Sequence, residues 1–219
     1  MKRIFVLAAS LALLTACNNT ESEHVTTSEA QTAGASTGTE YTVDSSSQII
    51  WEGSKPTGTH VGSFPISNGT LFVDNQNLTG GKFSINIEQM TNQDLASDPE
   101  NQGKLIGHLK SPDFFDTQKF PTAGFEITGV APFVLDSSNL PLLENPTHLI
   151  QGNLTLKDST KNISFPAKIT IDGNSISALA NFNIDRTLWG MNYKGPNNPQ
   201  DWFISKTVGL KINLSATKK

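Results

Sequence analysis

A single cysteine, Cys17, is all that this chain of 219 residues offers in thiol chemistry, and it stands near the N-terminus. That rules out an internal disulfide, a Cys-based zinc site and a cysteine nucleophile in the folded part. Basic charge is also scarce: 16 Lys and Arg stand against 20 Asp and Glu, for a net charge of −4. No basic stripe forms and aromatics do not alternate with Lys or Arg, which argues against nucleic acid as a partner. The same scarcity argues against peripheral contact with anionic lipid. Catalytic signatures are missing too. There is no Gly-x-Ser-x-Gly elbow, no Walker A loop and no Gly-x-Gly-x-x-Gly turn. The histidines are His24, His60, His108 and His148. None stands at a metal-ligand spacing from another, so no metal site is assigned. No cofactor is called for.

The N-terminus carries a targeting pattern. Lys2 and Arg3 precede an apolar run over residues 4–14. The run is too short to cross a bilayer as a helix and has the length of a signal-peptide core. Leu14-Thr15-Ala16-Cys17 follows at once and resembles a bacterial lipobox, in which the cysteine is acylated and becomes the new N-terminus. Residues 1–16 are therefore read as a lipoprotein signal peptide and Cys17 as the lipidation site. Residues 17–40 are read as the acylated cysteine and a disordered tether. The stretch after Cys17 is rich in Ser, Thr, Glu, Ala and Gly, with Val25 its one large aliphatic residue. A flexible coil of this length reaches roughly 25–30 Å. Asn18 stands where some bacteria place the Asp that retains a lipoprotein at the inner membrane. The expectation is a cell-envelope protein facing the periplasm, anchored by lipid, at the outer rather than the inner membrane.

Residues 41–219 are read as one domain, dominated by a period of two. Phe83, Ile85 and Ile87 alternate with polar residues, as do Ile150, Gly152, Leu154 and Leu156. Further alternating runs hold Ile163, Phe165 and Ala167, then Ile176, Ala180 and Phe182, then Leu210, Ile212 and Leu214. Strands with one apolar and one wet face suit an antiparallel sheet. About eight of them with few helices predict an all-β fold, a sandwich or a closed barrel. Asp172-Gly173-Asn174 and Asp158-Ser159-Thr160 read as hairpin turns. Pro166 lacks a ladder donor and marks an edge or a bulge. One helix is predicted after Ser97, with capping-box spacing to Glu100, Pro99 in its first turn, and a stripe of Leu105, Ile106 and Leu109. Pro112 should end it. A second helical turn is predicted around Arg186 to Trp189. Asp94, Asp98 and Glu100 lack the EF-hand pattern and read as carboxylates favoured by the helix dipole.

Several segments in order resemble the YceI-like family, over nearly all of residues 41–216. They are Tyr41-Thr42-Val43-Asp44 with the strand ending at Trp51, and Lys55-Pro56-Thr57-Gly58-Thr59-His60-Val61-Gly62. Leu109-Lys110-Ser111-Pro112-Asp113-Phe114-Phe115 and Lys119-Phe120-Pro121 with Phe125 follow. Gly152-Asn153-Leu154-Thr155-Leu156 with Thr160-Lys161, and Phe182 with Arg186 and Trp189-Gly190, complete the set. Asp158-Ser159 departs from the family, where Gly is common in the turn. The resemblance implies an extended, lipocalin-like antiparallel β-barrel with a long-chain lipid or isoprenoid, such as a polyisoprenoid or a fatty-acid derivative, inside it. It leaves a homodimer open.

On that footing the inward-facing Phe83, Ile85, Phe125, Leu154, Phe165 and Phe182 are the expected ligand-lining residues. His60 and Arg186 are expected at the rim or on a head group. For Arg186, anchorage to backbone carbonyls or to Asp185 is an equal alternative. No catalytic residue is assigned. An enzyme acting on a lipid-like substrate would use His60, His108, Asp113 and Arg186. A cell-envelope interaction module with a solid barrel is the other alternative, and it should expose a contiguous apolar patch.

Overall fold

The computed structural model describes residues 25–135, 140–195 and 203–219. Its strands are β1 (Thr26–Glu29), β2 (Thr39–Val43), β3 (Gln48–Lys55), β4 (Gly58–Asp74), β5 (Asn77–Asn86) and β6 (Thr91–Asn92), then β7 (Thr122–Pro132), β8 (His148–Leu156), β9 (Ser159–Asp172), β10 (Ser175–Asp185) and β11 (Thr207–Lys218). The helix α1 (Pro99–Lys110) lies between β6 and β7, and a 3₁₀ turn (Arg186–Trp189) follows β10.

Neighbouring strands pair antiparallel in the order β9-β10-β11-β2-β4-β5-β7-β8, and β8 pairs back onto β9. The ladder therefore closes into a barrel of eight strand positions. Closure removes the exposed edges that an open sheet would present. One position is shared by β2 and β3, which both lie between β11 and β4. The break between them is bridged by Ser47. Its hydroxyl donates to Ser215 O (3.1 Å) and accepts from Ser215 N (3.0 Å), in place of ladder bonds. Ser47 is buried, so losing that hydroxyl would leave Ser215 N without this partner, while Ser215 O keeps Asp44 N at 2.8 Å.

Alternation sets which residues face inward. Along β11 every second residue from Ile212 to Ala216 is buried and the others are exposed. The interior holds Trp189 and Phe182, the largest of the fully buried side chains. Trp189 Nε1 donates to Leu154 O at 3.0 Å, so the indole is both packed and satisfied.

Four local readings need adjusting. Residues 25–40, expected as part of the disordered tether, are ordered. β1 pairs with residues 161–164 of β9, and Val25 N donates to Asn183 O of β10 at 3.1 Å. Gln31 and Asn153 then exchange two hydrogen bonds of 3.0 and 2.7 Å. Thr37 O accepts from Thr79 Oγ1 at 2.6 Å. Order here comes from hydrogen bonds rather than apolar burial, which a composition argument cannot see. Residues 1–24, with the signal peptide and Cys17, lie outside the described residues. The turn after β8 is Lys157-Asp158; Ser159 and Thr160 already belong to β9. The N-cap of α1 is Asp98, not Ser97: its carboxylate accepts from Asn101 N at 3.2 Å. Asp94 stands apart from that cap and ties β4 to the segment before the helix.

Pro166 occupies a telling place. β9 pairs with β1 up to Ser164 and with β10 from Ala167 onward. The missing N–H thus falls where β9 changes partner, an edge position inside a closed barrel.

Candidate ligand-binding cavity

The segment between β5 and β7 folds over one end of the barrel. α1 ends at Lys110 and is capped by Ser111, whose extended backbone (φ −71°, ψ 168°) is what Pro112 requires of its predecessor. The following turn is held by Phe114 N to Ser111 O (3.1 Å) and Phe115 N to Leu109 O (3.1 Å). It directs both phenylalanines back under the helix. Phe115 meets Phe64 edge-on, with centroids 5.5 Å apart at 73°. Phe114 packs edge-on to His108 at 5.1 Å, and His108 is edge-on to Tyr193 at 4.7 Å.

Beneath this cover lies a cavity of about 250 Å³. Its walls are Ile49 and Trp51 of β3, Ile85 of β5, Leu154 of β8, Ile184 of β10 and Leu210 of β11. Leu105, Leu109, Phe114 and Phe115 roof it, and Lys55, His60, His108 and Ser205 border it. Trp51 is buried against Gly62, where a Cβ would sit 2.5 Å from the indole Cζ2. Its Nε1 has no hydrogen-bond partner, which makes it the one buried side-chain donor left unsatisfied among the described residues.

The charged groups at this end are mostly engaged. His60 Nδ1 pairs with Asp94 Oδ2 at 2.7 Å, and Val61 N and Asn92 Nδ2 donate to Asp94 Oδ1 at 2.7 and 2.6 Å. Partial burial pushes the Asp94 carboxyl up, but these hydrogen bonds outweigh it and hold the pKa at about 2. His108 Nε2 pairs with Asp113 Oδ2 at 3.0 Å. Arg186 borders the cavity yet is buried, and its donors go to Ser205 O (2.9 Å), Ile204 O (2.9 Å), Tyr193 O (3.0 Å) and Met191 O. Burial depresses its pKa, and the neighbouring Asp185 acts in the opposite direction. Asp185 itself is bound by Thr187 and Lys206. Of the two readings of Arg186, the geometry gives the backbone anchor: a planar fork tying the 3₁₀ turn to the segment before β11.

The expected lining residues do not share one cavity. Ile85 and Leu154 stand on the wall of this cavity. Phe83, Phe125 and Phe165 border a second, smaller one of about 50 Å³, and Phe182 borders neither. Alternation identifies an inward face but not the level along the axis, so all six looked alike in sequence. Trp51, Phe64 and the roof from α1 were missed. Their signal was present in the apolar stripe of α1 and in Phe114-Phe115, but nothing local said which opening they cover. As for the enzyme alternative, each histidine at the mouth is paired with its own carboxylate. No hydroxyl is hydrogen-bonded to His60 or His108 among the described residues.

Residues 41–216 match the YceI-like domain. The chain belongs to the YceI-like family. A UPF0312 protein of Shewanella denitrificans is 30% identical over 154 residues, covering 70% of this chain and 65% of that protein. Protein YceI of Escherichia coli is 30% identical over 113 residues, covering 52% of this chain and 50% of its own length. The matches thus span about half to two thirds of these relatives. Among solved structures, BcnA of Burkholderia cenocepacia gives a TM-score of 0.61 at 18% identity, covering 80% of this chain and 99% of BcnA. A polyisoprenoid binding domain of Saccharophagus degradans, implicated in plant cell wall breakdown, gives 0.56 at 13% identity, covering 82% and 98%. At these identities the likeness is one of fold, and the fold is the YceI-like barrel.

Proposed function

We propose that this YceI-like protein binds a long apolar molecule, a polyisoprenoid or a fatty-acid derivative, in the cavity under α1. In this reading it carries or sequesters that ligand at the cell envelope, held near the membrane by acylated Cys17. The observation that carries it is an apolar cavity of about 250 Å³, kept open beneath a helical cover and far larger than the second interior cavity of about 50 Å³. Apolar burial supplies about 0.8 kcal/mol per CH₂, so useful affinity needs little polar recognition. That agrees with a mouth where His60 and His108 are paired with carboxylates and Arg186 with carbonyls, leaving Lys55 as the cation at the border with no hydrogen-bond or ion-pair partner among the described residues. The binding reported in the name of the Saccharophagus domain supports the ligand class. An open cavity argues against a solid-barrel interaction module.

The test is mass spectrometry of organic extracts from the full chain carrying Cys17→Ser, which removes the acyl anchor. One lipid species in stoichiometric amount, absent from a control protein, is the expected result. A lipid-free extract together with failure to take up any fluorescent long-chain probe would sink the reading.

A further inference from the structure

Four aromatic rings cross the barrel at one level. Phe83 of β5 lies 5.3 Å from Phe125 of β7, Phe125 lies 5.7 Å from Phe165 of β9, and Phe165 stacks on Phe182 of β10 at 4.2 Å and 19°. β8 stands between β7 and β9, and its Gly152 lies between Leu154, the ladder partner of Phe125, and Ile150, the ladder partner of Phe165. A Cβ there would lie 2.2 Å from Phe125 Cζ, so the glycine is what lets the ring reach across. The larger and the smaller cavity share no lining residue: Phe83, Phe125 and Phe165 line the smaller, while Ile85, two residues along β5 from Phe83, and Leu154, paired with Phe125 in the ladder, line the larger. All four rings are buried, with exposures from 2% to 7%.

We infer that this aromatic layer is a floor that sets the length of chain the cavity accepts, and that the ligand is an amphiphile with a single chain of acyl length rather than a long polyisoprenoid threaded through the barrel. The inference rests on the lipid-binding reading and narrows it. The depth follows from β3, whose residues from Ile49 to Lys55 flank the cavity. Six steps of ~3.4 Å on a strand tilted 35–45° give an axial depth of about 15 Å. That is half of a ~30 Å hydrocarbon core, the span of one acyl chain in one leaflet. A longer chain would have to pass stacked rings in a close-packed layer, or leave its far part in water at the mouth.

The test is a displacement titration of the full Cys17→Ser chain with fatty acids from octanoate to eicosanoate, and with geraniol, farnesol and geranylgeraniol. Affinity is expected to rise about fourfold per methylene while the chain is still lengthening inside the cavity. It should then level off once the chain reaches the floor. Phe165→Ala should move the plateau to longer chains and raise affinity for geranylgeraniol at least tenfold. Phe125→Leu, a milder change, should move it in the same direction if Phe165→Ala does not fold. Leu154→Phe, which fills cavity space above the floor, should move the plateau to shorter chains. Affinity that climbs without a plateau, or a plateau unmoved in folded floor variants, overturns the floor and leaves lipid binding standing. No binding of any chain overturns the lipid-binding reading itself.

Discussion

At the scale of single residues, the side chains at the barrel mouth serve architecture first. Asp94 is the clearest case. Val61 N, Asn92 and His60 all bond to its carboxylate, which joins β4 to the segment leading into α1. Its pKa is depressed from 3.8 to about 2. A folded-state value below the unfolded one means that the stabilisation is complete above about pH 4 and is lost as the pH falls through about 2. Asp94→Asn should therefore be less stable than the wild type near neutral pH. The gap between their denaturant midpoints should close as the pH approaches about 2. A gap that stays constant across that range would show that Asp94 acts by packing alone. In sequence, Asp94 was indistinguishable from the carboxylates of the helix start, because its partner His60 lies 34 positions away. Arg186 was legible as a special residue but not as a carbonyl anchor. Two of its acceptors, Met191 O and Tyr193 O, follow within seven residues, but Ile204 O and Ser205 O lie on a stretch that meets it only in the finished barrel.

At the scale of elements, strands were legible because a period of two is written into each one. The helix was legible because Pro99, the Leu105, Ile106 and Leu109 stripe, and Pro112 all agree. The strap over residues 25–38 was not. It buries little apolar surface, and its order comes from pairing with β9, the Gln31–Asn153 exchange and the Thr37–Thr79 contacts. Gly38 ends it at φ +104°, where a Cβ would meet Val73 O at 2.2 Å. The strap fills a seam. β10 leaves β9 after Ala180, and β1 with Val25 takes up the vacated positions. Starting the chain at Gly38 should therefore expose backbone groups of both strands. Loss of these backbone bonds, at ~0.5–1.5 kcal/mol each, puts the expected cost at about 2–5 kcal/mol. Hydrogen exchange should speed up at residues 161–164 of β9 and not in β3 or at residues 58–66 of β4. Unchanged protection at residues 161–164 would mean that the seam closes without the strap.

At the scale of the whole molecule, closure is what periodicity could not supply. Alternation permits a sandwich as well as a barrel, and only the order of the family motifs pointed to the barrel. The site was legible in its chemistry, apolar and inward, but not in its extent, because the aromatic floor and the helical roof are products of the assembled fold. Together they keep a cavity open at a cost. At ~24 cal/mol per Å³, 250 Å³ left empty forgoes up to about 6 kcal/mol, and less where water enters at the mouth. Against a typical total of about 5–15 kcal/mol, that is a large concession. A ligand that takes up this space stabilises the native state and has nothing equivalent to bind in the unfolded chain. At a free concentration of about a hundred times its dissociation constant it should add about 2.7 kcal/mol. For a domain of this size each kcal/mol moves Tm by about 2–4 °C, so the melting point should rise by about 5–11 °C. At one fixed free concentration, by contrast, the rise should follow the chain-length series, being small for octanoate and levelling off at the chain that just reaches the floor. A melting point that ignores chain length, or that falls as with a detergent, would place the apolar contact on the surface or on the unfolded chain and not in the barrel.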